Sequence, residues 1–160
     1  MTKGRDRFEL VPQKEVDEVL HIIKPVLGRL NKYLNETNRS LVFEREIVGS
    51  AGRGVVSRVR GGNQGFDIDL NLVIKCPRDG KKHIGKDVHK TFLNGIRHAI
   101  KGTDFSDPEE SSSVFTLKCK DRKNSRVIYG VDLAVVYYDS ERNPHILQYY
   151  KENGGFGFQV

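Results

Sequence analysis

Ile47-Val48-Gly49-Ser50 and, further on, Phe66-Asp67-Ile68-Asp69-Leu70 decide the fold of this chain. The stretch reads as a strand, a tight Gly-Ser turn, a short helix, a glycine-rich loop and a second strand that carries two carboxylates. A third carboxylate, Asp132, lies in a later apolar strand, Gly130-Val131-Asp132-Leu133-Ala134-Val135-Val136. Residues two apart in a strand point to the same face, roughly 6.6 Å apart. Asp67 and Asp69 are therefore neighbours on one face, and Phe66, Ile68 and Leu70 line the other.

Two unit charges at that separation repel by about 2.5 kcal/mol at an effective dielectric of about 20, and Asp is depleted in strands. A divalent cation turns the repulsion into attraction. Oxygen ligands with no accompanying Cys or His favour Mg²⁺ or Mn²⁺ over zinc. A third carboxylate from a neighbouring strand suits a pair of ions about 3.5–4 Å apart. Asp132 sits in a run too apolar for a casual surface strand, where an unpaired carboxylate is costly. A metal shared with Asp67 and Asp69 accounts for it; a salt bridge to Arg or Lys is the alternative.

The Gly-Ser turn supplies the complementary half. With a strand before it and a helix opening at Ala51, the backbone N–H groups around Ser50 form an anion site suited to phosphate. Gly49 allows close backbone approach. Ser50 is read as a helix cap whose hydroxyl also reaches a phosphate oxygen.

This set of residues resembles the nucleotidyltransferase superfamily typified by DNA polymerase beta, which includes poly(A) polymerases, CCA-adding enzymes, oligoadenylate synthases, cyclic-oligonucleotide synthases and antibiotic nucleotidyltransferases. Gly49 and Ser50 match the family's triphosphate-holding turn. Asp67 and Asp69 match its paired carboxylates and Asp132 its third. The match runs from about Leu41 to Tyr138, and the segment from Ser50 to Asp67 is longer than the family pattern. The resemblance implies an α+β fold: a mixed, largely antiparallel palm-like sheet with helices packed on one face. It implies that Asp67, Asp69 and Asp132 hold Mg²⁺ (or Mn²⁺) and carry catalysis. A nucleoside triphosphate, ATP among the candidates, rests on Gly49 and Ser50, with Arg53 the first choice among Arg53, Arg58 and Arg60 to meet its phosphates. A solvated basic face accounts for any one of those arginines as well. The implied reaction transfers a nucleoside monophosphate to an acceptor hydroxyl by a two-metal-ion mechanism and releases pyrophosphate.

The chain has 160 residues, which points to one domain spanning 1–160. Relatives usually carry a helical domain after the catalytic sheet, and the expectation here is that it is absent or truncated, or that a partner protein supplies the missing wall. Charged residues make up 30% and the net charge is +6, with pI about 9.3. That balance suits a nucleotide or RNA, and a basic protein with no nucleic-acid partner fits it equally. No apolar run is long enough to span a membrane, and Met1 to Arg7 lacks the apolar core of a signal peptide. Cys76 and Cys119 are too few for a disulfide framework and read as reduced thiols in a cytoplasmic protein.

Elsewhere the chain reads as scaffold. Apolar residues at Val16, Val19, Leu20, Ile23, Leu27, Leu30 and Leu34 mark an amphipathic helix from Pro12 to Asn35, with a kink or break expected at Pro25. Leu41 to Val48 reads as a strand and Ala51 to Arg60 as a short helix. Gly61 to Gly65 is a turn, Phe66 to Lys75 the acidic strand, and Cys76 to Gly80 its end. Ile84, Val88, Phe92, Ile96 and Ile100 predict a second amphipathic helix from Lys82 to Lys101. Its His83, His89 and His98 read as surface histidines. Thr103 to Ser113 reads as a solvated loop. Val114 to Lys120 and Arg126 to Tyr138 form an antiparallel hairpin across a turn at Asp121 to Ser125. His145 to Tyr150 and Phe156 to Val160 are further strands, joined across Asn153-Gly154-Gly155.

Two other readings stay open. One is a catalytically silent nucleotide- or RNA-binding module on the same sheet. The other is an antitoxin-like minimal nucleotidyltransferase that modifies a partner protein. The acceptor, whether RNA end, second nucleotide, small molecule or protein side chain, is not legible in the residues, nor is the base.

Overall fold

The structure, a computed structural model, describes residues 7–62, 65–78, 82–121, 123, 126–150 and 155–160. Parts of several sequence readings lie outside these: Met1–Asp6, Asn63 and Gln64, Asp79 and Gly80, Arg122, Asn124 and Ser125, and the Asn153-Gly154 joint.

The elements follow in the order β1 (Phe8–Leu10), α1 (Gln13–Thr37), β2 (Phe43–Val48), α2 (Gly49–Gly52), β3 (Ser57–Val59), β4 (Phe66–Ile74), α3 (Gly85–Ala99), β5 (Glu109–Glu110), β6 (Phe115–Asp121), β7 (Arg126–Tyr138), β8 (Pro144–Tyr150) and β9 (Gly155–Gln159), with a 3₁₀ turn at Arg39–Leu41. The main sheet runs β2-β4-β7-β6-β5, and β8 joins β7 and carries β9 outward. Among the described residues only the β4–β7 pair of this sheet is parallel; its other pairings are antiparallel. The fold is thus α+β with a mixed, largely antiparallel sheet.

Alternation places the core. Along β4, Phe66, Ile68, Leu70, Leu72 and Ile74 are buried. Their β7 register partners Val131, Leu133 and Val135 are buried too. Both long helices feed the same cluster, α1 through residues such as Ile23, Leu30 and Leu34 and α3 through Val88, Phe92 and Ile96. Each such side chain stabilises the fold by about 1.5–3 kcal/mol relative to exposure. Two side chains lock the helices in place. Asn31 bonds Phe43 twice, donating to its carbonyl at 3.0 Å and accepting from its N–H at 2.9 Å. Arg29 Nε donates to the Ala99 carbonyl at 2.9 Å, satisfying an acceptor at the end of α3.

Two expectations fail for local reasons. The break expected at Pro25 does not occur: helix α1 runs from Gln13 to Thr37 through it. Pro25 lies on the exposed face, where water can satisfy the freed carbonyl, while Ile23, Val26 and Leu27 stay buried behind it. The expected helix from Ala51 to Arg60 does not form. Only one helical turn survives, ending at Gly52, and Gly54 takes a left-handed φ of 72°. The β-branched residues beyond it favour extended backbone, and Ser57–Val59 pairs with Phe8–Leu10 as a separate two-stranded ribbon.

That ribbon is turned inside out. Its outer face carries Phe8, Leu10 and Val59, all exposed. Its inner face carries Glu9 and Arg58. Arg58 Nε bonds Glu9 Oε1 at 2.8 Å and Arg58 Nη1 bonds Glu15 Oε1 of α1 at 3.1 Å. The two glutamates raise the Arg58 pKa above its ordinary value. Among the described residues, no helix is long and apolar enough to cross a membrane.

Candidate functional site

The parallel pairing of β4 and β7 assembles the acidic face. Asp69 is in register with Asp132, and Asp67 with Gly130. Register partners on adjacent strands point the same way, so the three aspartates share the face turned away from α1 and α3. Asp69 and Asp132 are half-buried, and Asp67 is exposed. No Arg or Lys among the described residues forms an ion pair with any of the three.

The backbone closes around them. Val48, the last residue of β2, is in register with Asp69. The chain then turns at Gly49, with φ +64°, so tightly that a Cβ there would collide with Asp69 Oδ2. A Cβ at position 130 would likewise collide with Asp67 Oδ1. The left-handed φ at position 49 favours glycine, while at 130 the colliding atom is the free end of the Asp67 side chain, which would have to swing aside to admit a Cβ. On the third side, Thr116 Oγ1 donates to Asp132 Oδ1 at 2.5 Å. Thr116 follows from the β6–β7 register and was missed from the sequence; fixing the hairpin pairing would have found it.

The electrostatics match the geometry. Withdrawal from water raises the Asp69 carboxyl above the usual range, and the charge and hydrogen bonding of Asp132, then the charge of Asp67, raise it further. Asp67 is also raised, first by partial burial of its carboxyl and then by Asp132, against an opposing pull from Lys118. Negative charge is thus concentrated where no cationic side chain neutralises it fully.

The Gly49-Ser50 turn adjoins this cluster, but it is shorter than the sequence suggests. The residue capping α2 is Val48, not Ser50, and α2 is a single turn. The Ser50 carbonyl accepts from the Val55 N–H at 2.9 Å. Arg53, the residue just past the turn, is exposed.

Among the described residues no group of three His, Cys, Asp or Glu is placed to hold a metal ion. The all-oxygen donor chemistry of Asp69 and Asp132, in register on adjacent strands, fits a hard divalent cation, which these two carboxylates would hold. A cleft of about 230 Å³ opens from Asp69 and Asp132 past Asn71, Ser113, Ile146 and Gln148. Further along the same face Glu46 accepts from Asn71 Nδ2 at 3.1 Å and from the Tyr138 hydroxyl at 2.6 Å. Neither Glu46 nor Tyr138 stood out in the sequence.

His89 departs from its expected surface role. Its ring stacks on Phe156 at 3.7 Å and on Phe115 at 4.9 Å, with Glu110 at 3.3 Å. Burial lowers its pKa, against Glu110. It braces β9 against Phe115 of β6 and takes no part in the acidic cluster.

No protein-family model and no curated protein sequence matches this chain. Solved structures do. Vibrio cholerae DncV in its 3'-deoxy ATP bound form superposes with a TM-score of 0.65 at 10% identity, covering 96% of this chain and 54% of DncV. The Bradyrhizobium diazoefficiens CD-NTase CdnG in complex with GTP gives 0.58 at 14%, covering 93% and 39%. E. coli MS115-1 CdnC with ATP gives 0.52 at 18%, covering 97% and 45%. The chain spans about half the length of these structures. The likeness covers nearly the whole chain and includes the strands that bear the three aspartates: the chain has the nucleotidyltransferase fold.

Proposed function

We propose that the chain transfers a nucleoside monophosphate from a nucleoside triphosphate to an acceptor hydroxyl. The observation that carries this reading is the shared face of Asp67, Asp69 and Asp132 beside the Gly49 turn. Structural likeness to proteins solved with ATP and GTP supports a nucleoside triphosphate as donor. Vibrio cholerae DncV is a cyclic AMP-GMP synthase, which makes a second nucleotide the first acceptor to test.

In this reading the β and γ phosphates lie against the Gly49-Ser50 backbone, with Arg53 beside them. The α-phosphorus faces Asp69 and Asp132. Asp132, one oxygen fixed by Thr116, turns the other toward the acceptor hydroxyl, whose proton passes to bulk water. The acceptor oxygen bonds to the α-phosphorus in line, the α–β anhydride bond breaks, and pyrophosphate leaves. Mg²⁺ or Mn²⁺ held by Asp69 and Asp132, with Asp67 adjoining, would supply neutralisation of the phosphate charge. The cleft past Asn71 and Gln148 gives the acceptor a place next to Asp132.

A second reading, nucleotide binding without turnover, draws on one observation: among the described residues no three acidic side chains stand together as a ready metal cage. Incubation with each of the four α-labelled triphosphates and Mg²⁺ or Mn²⁺ separates the two. Transfer of label that falls about 100-fold or more in Asp69→Asn, with the melting temperature retained, supports the transferase. Metal-dependent triphosphate binding with no product favours the silent module. Undiminished transfer in Asp69→Asn refutes the site.

A further inference from the structure

The end of β4 opposite the acids is basic. A cleft of about 460 Å³ there is lined by Arg39, Lys75, Arg78, Lys82 and His83 together with Ser40, Cys76 and Pro77. That volume is in the range of small-ligand sites. The four Arg and Lys side chains are exposed, and no acidic residue among the described ones lines the cleft. Arg58 is paired with Glu9 and Glu15, Arg97 with Asp107 and Lys118 with Glu109. Here none of the four has an ion-pair partner among the described residues. Such one-signed crowding in a concave surface concentrates anions.

A second observation narrows the ligand. The His83 ring, oriented by a 3.0 Å contact between its Nε2 and the Lys75 carbonyl, lies 6.0 Å from Tyr137 and 5.8 Å from Phe158. Tyr137 stacks in turn on His145 at 4.6 Å. All four rings are partly exposed. Of these rings His83 itself lines the cleft, with Tyr137 and Phe158 tilted against it; cations beside exposed rings can hold single-stranded nucleic acid, phosphates on the charges and bases on the rings. Asp69 and Lys75 are roughly 20 Å apart along the strand, too far for one triphosphate to serve both ends.

We propose that this cleft binds single-stranded RNA, its phosphates on Arg39, Lys75, Arg78 and Lys82 and a base against the His83–Tyr137–Phe158 rings. Binding here needs no metal and no turnover, so it stands apart from the transferase reading.

The test is fluorescence anisotropy of a fluorescein-labelled 12-mer oligouridylate with the full chain, in EDTA and without triphosphate, at several salt concentrations. The double variant Arg78→Glu/Lys82→Glu should bind at least tenfold more weakly. Its log–log salt slope should be shallower by about 1.4, the loss of two phosphate contacts. Arg78→Gln/Lys82→Gln should fall between the double charge reversal and wild type. Melting temperatures near wild type confirm that the exposed substitutions leave the fold intact. Inorganic tripolyphosphate at equal phosphate concentration should displace the RNA poorly. Wild-type protein that does not bind at 50 mM salt, or affinity within twofold in the double charge reversal, would overturn the proposal. So would equal displacement by tripolyphosphate, or equal affinity for duplex RNA.

Discussion

The main sheet and the β1–β3 ribbon use the same alternation with opposite sense. In β4 the apolar residues face the helices, and the acids face out. In the ribbon Phe8, Leu10 and Val59 face out, while Glu9 and Arg58 face in. The sheet buries its apolar face because two amphipathic helices cover it. The ribbon is only three residues long on each side and meets α1 through Glu15, so an ion-pair network takes the place of a core. Alternation alone therefore does not say which face is inside; the neighbouring element does.

The largest effect expected from breaking this contrast comes from the sheet. Leu133→Ala removes a fully buried side chain from β7 and should cost about 2–5 kcal/mol in chemical denaturation. A loss under 1 kcal/mol would show that the helix-covered face is not the principal core. Arg58→Ala should cost less, about 1 kcal/mol, because the network is partly exposed. That loss should persist in the Glu9→Gln background, since Glu15 would still lose its partner. Glu15 Oε2 is already buried without a hydrogen bond among the described residues, and removing Arg58 leaves the whole carboxylate unsupported. The smallest effect belongs to the ribbon's outer face. Phe8→Ser should change stability by less than about 0.5 kcal/mol, and a loss approaching that of Leu133→Ala would mean that the outer face is covered.

The same contrast explains what the sequence could and could not say. Strands β4 and β7 were legible because their apolar residues alternate over long runs, and the Asp-x-Asp pair stood out as misplaced charge. Helices α1 and α3 followed from spacings of three and four. The ribbon was not legible: Ser57–Val59 holds its charge on the inner side, and the valines around it matched a helical pattern equally well. The three aspartates stood out as candidates because Asp is depleted in strands, and Gly49 through the Gly-Ser turn that the resemblance marks. Thr116, Gly130 and His89 break none. Their roles come from register and stacking between distant segments, which a single sequence does not display. Pro25 shows the converse, a rule-breaking residue that the fold tolerates because it faces water.

The parallel pairing of β4 with β7 has a kinetic consequence. Asp69 and Asp132 belong to strands separated by a helix and a hairpin, so their meeting requires closure of a long loop and cannot arise within any local unit. Hairpins such as β6–β7 can form early and alone, whereas the acidic cluster exists only after the crossover has closed. Any nucleotide that depends on all three aspartates therefore binds only the completed fold and by mass action stabilises it as a whole.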